Sequence, residues 1–360
     1  MRPVTEAELA EAVAGALGPL LVRGGGTRTL GHAVGEVLQT GGLSGVELYE
    51  PGALTLVVRA GTPVAEVQAV LAGERQRLAF EVPDLRGLLG REGASTIGGV
   101  LAANASGPRR VQVGAARDAA LGVRFVDGSG TVVKNGGRVM KNVTGYDLVK
   151  LMAGSRGALG VLTEVSFKVQ AVPEAEATLV IEGLGDAAGL SALRTALGSP
   201  FDVSGVARHS GRSLIRVEGM AGSVAYRTDQ LRARIVGEVT VAEGDTSAAL
   251  WREVRDVAPL QGKPGEVWRI ATLPTAAAGI VAQLEGEALW DWGGGLIWLR
   301  LDPGRGAEVA AAVAGKGHAT LVKGQGGPVF PPEEPEVAAL VAGLKAKFDP
   351  RGIFNPGMMG

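Results

Sequence analysis

The chain has 360 residues, a formal net charge of −1, three histidines and no cysteine. That length accommodates two or three domains, each with its own core, and the balanced charge offers no bulk attraction for nucleic acid or an anionic membrane. The missing cysteine excludes a thiol nucleophile, a disulfide framework, a Cys-ligated zinc site, an iron–sulfur cluster held by this chain and a sulfur-linked flavin.

Thr5 opens a helix with Glu8 at capping-box spacing and Leu9, Val13, Ala16 and Leu17 on its apolar face. Residues 20–22 read as a buried strand running into the loop Arg23-Gly24-Gly25-Gly26-Thr27. A Rossmann fingerprint would need a glycine at position 29, where Thr29 stands. A P-loop would need Gly-Lys-Ser/Thr, yet the Gly-Lys pairs at 262 and 315 continue into Pro264 and Gly317. The three glycines can still form a nest of N–H donors beside Arg23, or simply a tight turn. A strand over 54–58 follows. Pro63 then starts a helix through Val64, Val67, Val70 and Leu71 that stops at Gly73.

Residues 93–107, GASTIGGVLAANASG, are poor in bulk and leave the backbone open to close approach. Here Ile97-Gly98-Gly99 begins a short helix whose N–H groups and dipole would face an anion, and Asn104 can read a ring or ribose edge. The alternative is a close crossing of two helices through small residues. A hairpin over 121–134 turns at Asp127-Gly128-Ser129-Gly130. Next come Lys141-Asn142-Val143-Thr144, a helix over 146–152, and a Gly157–Gly160 turn into a strand over 159–169. Beyond Pro173 the texture becomes strand–helix alternation to about Lys323, with elements at 178–181, 190–197, 213–218 and 226–235 and no visible internal repeat. All five tryptophans fall in this region, as a core or as a partner surface. Gly324 to Pro328 is loop, and Pro335 starts a helix carrying Val337, Leu340, Leu344 and Phe348 ahead of a Pro/Gly-rich tail.

In order, RGGGT, GxxxIGGxxxxNxxG, VGxxRDxxLGVRFVDGSG and KNVTGYDLxKLxxGSxGxLGVLTE resemble the FAD-binding domain of the vanillyl-alcohol oxidase/PCMH superfamily. The closing FDPRGIFNPG is similar to the tail of its 2-hydroxy-acid branch, and the divergent middle brings the chain nearest to the FAD-binding subunits of bacterial glycolate oxidase. The resemblance implies an α+β fold: a two-subdomain PCMH-type FAD-binding domain over 1–172, an α+β cap domain over 173–330, and a C-terminal helix and tail over 331–360 that return to the first domain.

It further implies that Arg23, Gly24, Gly25, Gly26 and Thr27, with Gly93, Thr96, Ile97, Gly98 and Gly99, hold the FAD pyrophosphate through backbone donors. Asn104 and Gly107 would lie along the ribityl path, Gly160 and Val161 at the adenine or ribose end, and Asn355 near the isoalloxazine. The FAD is expected to be non-covalent, because there is no cysteine and His32 is a poor attachment point. In this branch the flavin accepts a hydride from a 2-hydroxy acid. Its catalytic members carry a GHxGDGNxH-like metal motif, where this chain has only Gly317-His318-Ala319-Thr320, and Arg156 replaces a Glu of relatives. No catalytic base or metal site is therefore assigned; His209, Arg212, Arg269 and Lys323 share no spacing that ties them into one site.

The implied role is the FAD-binding subunit of a multi-subunit glycolate/2-hydroxy-acid oxidase, passing electrons or supporting assembly beside a catalytic sister flavoprotein and an iron–sulfur subunit. A self-sufficient FAD oxidoreductase is the alternative, and a flavin-free scaffold is a third reading that the intact Gly loops oppose. With no run of eighteen apolar residues and no signal-peptide pattern, the expected location is cytoplasmic, with any membrane association made through partners.

Overall fold

Two antiparallel sheets and one small parallel ribbon hold the strands of the described residues, which are 1–31, 34–139, 145–325, 329–330 and 332–358 of the computed structural model. The ribbon pairs Leu20–Arg23 with Glu36–Gln39. The tail closes on its free edge: the Leu20 N–H donates to the Ile353 carbonyl (2.7 Å) and the Asn355 N–H to the Leu20 carbonyl (3.0 Å). Asp349 shapes that tail by accepting the N–H groups of Ile353 and Phe354 at 3.0 and 2.8 Å. Helix Glu6–Ala14 packs Leu9 and Val13 against Leu20, Leu38 and Phe354. Thr5 caps it through the Glu8 N–H, as predicted. The helix stops at Gly15, ahead of Pro19, so Leu17 is fully exposed rather than on an apolar face.

In the six-stranded sheet the order is Val46–Glu50, Thr55–Arg59, Val161–Ala171, Ala120–Val126, Val132–Gly136, with Gln76–Leu78 on the far end of Val161–Ala171. Leu56, Val58, Val123, Phe125, Val165 and Phe167 build one apolar face, and helices Val64–Gly73, Ile97–Ala102 and Leu148–Met152 bury Val67, Leu71, Val100, Val149 and Met152 against it. The last helix begins later than its sequence pattern suggests, because the Asp147 side chain accepts the Lys150 N–H and fixes the start at Leu148.

The eight-stranded sheet runs Glu238–Glu243, Ala175–Glu182, Arg212–Gly219, Val203–His209, Glu287–Asp291, Leu296–Leu301, Glu266–Thr272, Gly317–Lys323. Its chain order is strand–helix–strand–strand–helix–strand, stated twice and joined where Val203–His209 meets Glu287–Asp291. The sequence shows no such repeat, since the two copies share element order and strand pairing and not residues. Helices Asp186–Leu197, Ala221–Arg232, Ala277–Leu284 and Gly306–Val313 cover one face. The other face carries Val267, Leu289, Trp298 and Val322, and packs on helix Gly244–Arg255 and on Leu30 and Leu88. Trp251, Trp268, Trp290 and Trp298 are buried, which settles four of the five tryptophans as core.

Helix Pro335–Phe348 buries no residue: Val337, Leu340 and Leu344 are exposed, and Phe348 meets Phe125 with ring centroids 6.1 Å apart. Among the described residues no helix is long and apolar enough to cross a membrane.

Candidate functional site

The two Gly loops lie back to back. A Cβ on Gly24 would stand 2.4 Å from Thr96 Oγ1, one on Gly25 1.6 Å from the Ala94 carbonyl oxygen, and one on Gly93 2.5 Å from the Gly25 carbonyl oxygen. Loop-to-loop contact therefore demands these glycines before any ligand does. Gly26, at φ +70°, turns the chain beneath the Arg23 guanidinium. Arg28 bolts the loops together by donating to Ser95 Oγ and to the Pro83 carbonyl, and burial pushes its guanidinium down to about 10. The N–H groups of Gly24, Gly25, Gly26 and Thr27 have no hydrogen-bond partner among the described residues. Four adjacent unpaired donors make an anion cradle.

The short helix Ile97–Ala102 behaves differently from its sequence reading. Its N–H groups are not free: Ile97 donates to the Thr62 carbonyl (3.0 Å), Gly98 to the Ala60 carbonyl (2.6 Å), and Gly99 to Thr96 Oγ1 (3.4 Å). The residues that follow strand Thr55–Arg59 thus occupy the helix N-terminus that was expected to face an anion. Gly98 is a packing glycine, since its Cβ would sit 2.8 Å from the Ala60 Cβ. Gly99 is open: a Cβ there would meet only Thr96 Oγ1, at 3.2 Å.

Beside these loops lies a cleft with about 840 Å³ of empty space, part of it open to solvent. Arg23, Gly24, Gly25, Gly26, Thr27, Thr96, Gly98, Gly99, Gly160 and Asn355 line it, together with Arg28, Arg156, Gly157 and Met358. The remaining expected residues do not. Gly93 supports Gly25 from behind. Ile97 and Val161 are core, with no exposed surface. Asn104 adopts φ +45° and its Oδ1 accepts the Arg117 N–H at 3.1 Å, so it shapes its own turn. Gly107 belongs to the joint between the sheets: its carbonyl accepts the Trp292 indole N–H at 3.1 Å.

Asn355 closes the cleft floor. Its Oδ1 accepts the Val22 N–H at 2.7 Å and its Nδ2 donates to the Arg156 carbonyl at 2.8 Å. The side chain thus holds the ribbon against the turn at 154–157. Gly157 leaves it room, because a Cβ there would lie 2.9 Å from Asn355 Nδ2.

Around the joint, Arg77 and Arg109 from the first sheet region meet Glu218 of the second at 2.8 and 3.4 Å, and Arg216 meets Glu81 at 2.9 Å. Burial alone would raise the Glu218 carboxyl, but Arg216, Arg109 and Arg77 hold it down at about 2. Asp291 is buried, and burial pushes its carboxyl up to about 8; among the described residues the Trp292 N–H is its one hydrogen-bond donor. This network and Arg28 escaped the sequence reading because their members lie far apart along the chain.

His209 and Lys323 do not line the cleft. The His209 Nδ1 pairs with the Ala288 carbonyl (3.0 Å) and Lys323 Nζ donates to the Lys263 carbonyl (2.8 Å). His318 is exposed, and no group of three His, Asp or Glu side chains among the described residues could hold a metal. His32, Lys141 to Thr144 and residues 326–328 of the loop lie outside the described residues.

A family model described as an FAD binding domain matches residues 1–136. The glycolate oxidase subunit GlcE of Escherichia coli is 37% identical over 346 residues, covering 95% of this chain and 92% of that one. The glycolate oxidase subunit GlcD of Bacillus subtilis is 33% identical over 166 residues, 45% of this chain and 34% of that one. Among solved structures, an alkyldihydroxyacetonephosphate synthase superposes with a TM-score of 0.71 at 16% identity, covering 99% of this chain and 76% of that one. At that identity the likeness speaks for the fold alone.

Proposed function

The chain belongs to the family of the glycolate oxidase subunit GlcE, and from that premise we propose that it is the FAD-binding subunit of a multi-subunit glycolate or 2-hydroxy-acid oxidase. The observation that carries the reading is the row of unpaired N–H groups at Gly24, Gly25, Gly26 and Thr27, all residues that line the cleft. These donors suit a pyrophosphate, with Arg23 adding charge. The bare Gly99 lets a ligand approach the helix backbone, and Asn355 and Gly157 hold the floor. FAD bound here would supply a hydride acceptor.

In this reading residues 1–172 form the FAD domain, 173–330 the cap, and 331–360 the returning helix and tail. The chain's own residues bind and orient the cofactor and shield it from water. They do little acid–base work: the described lining of the cleft contains no carboxylate and no imidazole. A subunit role follows, in which a sister flavoprotein related to GlcD supplies substrate oxidation. Because this chain has no cysteine, an electron relay through iron–sulfur clusters would have to come from a further polypeptide.

Stopped-flow reduction of the purified, FAD-loaded chain by glycolate and D-lactate tests this. A missing positioned base costs about 10²–10⁴ in rate, so bleaching of the isolated chain should be slow and should accelerate when the sister subunit is added. Rapid, complete bleaching of the chain alone would instead make it a self-sufficient oxidoreductase.

A further inference from the structure

Helix Pro335–Phe348 is out of keeping with the rest of the fold. Among the described residues, every other helix of eight or more residues buries at least two apolar side chains, and this one buries none. Yet from Val337 to Leu344 it contains no polar side chain, and a helix apolar all round belongs in an interior or an interface. Val341, Lys345 and Phe348 are half-buried, and their spacing of four and three marks the side that rests on the protein. Glu336, Leu340, Gly343 and Lys347 follow the same spacing on the outward side, and all four are exposed, Leu340 by 70%.

Gly343 has no use inside the chain. Glycine weakens a helix relative to alanine, and here a Cβ would meet no atom within 4 Å, so the space it leaves lies outside the molecule. The charges are equally unspent: Glu333, Glu334 and Glu336 stand at the N-terminal end, Lys345 and Lys347 at the C-terminal end, and none pairs with a described residue. A reversed copy of the same helix answers both features. Laid antiparallel about a two-fold axis between Val341 and Ala342, Leu340 falls opposite Gly343 of the second copy, Leu344 opposite Ala339, Val337 opposite Ala346 and Glu336 opposite Lys347. Large side chains meet small ones, Glu336 meets its opposite charge, and the helix dipoles oppose. A parallel pair would set Glu336 on Glu336 and leucine on leucine. A membrane surface suits the helix less well, because one end is acidic and no face is basic.

We propose that this helix is a self-association surface: two copies of the chain pair antiparallel through Glu336, Leu340, Gly343 and Lys347, each Leu340 seated over the other copy's Gly343. The pairing is isologous, so it closes at two subunits. A helix about 21 Å long and about 10 Å wide covers less than the roughly 800 Å² per partner of a standard interface, so the dimer should dissociate at micromolar concentration. The inference does not depend on the FAD reading.

Sedimentation velocity of the full chain, carrying whatever FAD it purifies with, tests this from about 1 to 100 μM, a range that brackets a micromolar Kd. The wild-type chain should pass from monomer to dimer across that range. Leu340→Glu should stay monomeric, its self-affinity lowered at least about tenfold, with FAD content and melting temperature unchanged. Gly343→Gln separates association from helix stability: it favours the helix by propensity and should still abolish the dimer by filling the seat of Leu340. Because the chain has no cysteine, crosslinking reads the register. Glu336→Cys mixed with Lys347→Cys should give a disulfide-linked dimer. Neither variant alone should, since like positions of the antiparallel pair lie about 16 Å apart along the axis and a disulfide needs Cα atoms within about 7 Å. A wild-type chain monomeric at every concentration, a dimer that persists in Leu340→Glu or Gly343→Gln, or crosslinking of either cysteine variant with itself overturns the proposal. If the wild-type chain is monomeric, copurification with a GlcD-like sister subunit, or sedimentation with phosphatidylglycerol vesicles, that Leu340→Glu abolishes would give the face to that occupant instead.

Discussion

Replacing Asn355 by alanine removes two fastenings at once. The Val22 N–H loses its acceptor at 2.7 Å and the Arg156 carbonyl its donor at 2.8 Å, at a residue 3% exposed. A buried polar group left without a partner costs about 1–3 kcal/mol. Asn355 also sits at φ +40°, where alanine is disfavoured by about 1–2 kcal/mol. Some of this is recovered where water enters from the cleft, so the net loss should be about 2–5 kcal/mol, concentrated in the ribbon and the 154–157 turn. Both segments line the cleft proposed to hold FAD, so flavin affinity should fall at least about tenfold, the equivalent of 1.4 kcal/mol. Flavin fluorescence titration gives the affinity and thermal unfolding without added FAD gives the stability. Asn355→Gly relieves the strain while still lacking both contacts, and Asn355→Asp keeps an acceptor for Val22 while setting an anion against the Arg156 carbonyl. Wild-type FAD affinity and melting in Asn355→Ala would refute the fastening argument outright.

Gly99→Val should fold, because its Cβ meets only Thr96 Oγ1, yet bind no FAD; stoichiometric flavin in the soluble variant would remove Gly99 from the cofactor wall. Glu218→Gln leaves Arg77, Arg109 and Arg216 short of their carboxylate and should cost about 3–5 kcal/mol at pH 7 by denaturant titration. Since the native carboxyl sits near 2 against an ordinary 4.5, its contribution is complete above pH 4.5 and fades as pH falls toward 2, so the gap between variant and wild type should close in acid. Asp291 titrates the opposite way: its carboxyl stays protonated to about 8 in the fold but ionises near 3.8 when unfolded. Stability therefore declines as pH rises between those values, and Asp291→Asn should flatten that slope and raise the melting temperature at pH 8. An unchanged slope would show that Asp291 is ionised in the native protein.

Much of the fold could be read from local pattern. Helix Glu6–Ala14, the hairpin pairing Ala120–Val126 with Val132–Gly136, and strand Val161–Ala171 all announce themselves through caps, turn residues or alternation. Strand Val203–His209 did not, because it is buried on both faces and shows no alternation. The duplication of the eight-stranded sheet was invisible because topology repeats where sequence does not. At the site, the Gly loops were legible and their use was only half so. Glycine-rich composition cannot distinguish donors left unpaired, as at residues 24–27, from donors already taken, as at Gly98, where the acceptor is the distant Ala60 carbonyl.

The most direct test of the central claim is a visible spectrum of the purified full chain, followed by acid precipitation. The cleft and its row of free donors predict about one FAD per chain and a yellow supernatant over a colourless pellet. A colourless chain that takes up no added FAD would contradict the cofactor role, and a yellow pellet would contradict non-covalent binding.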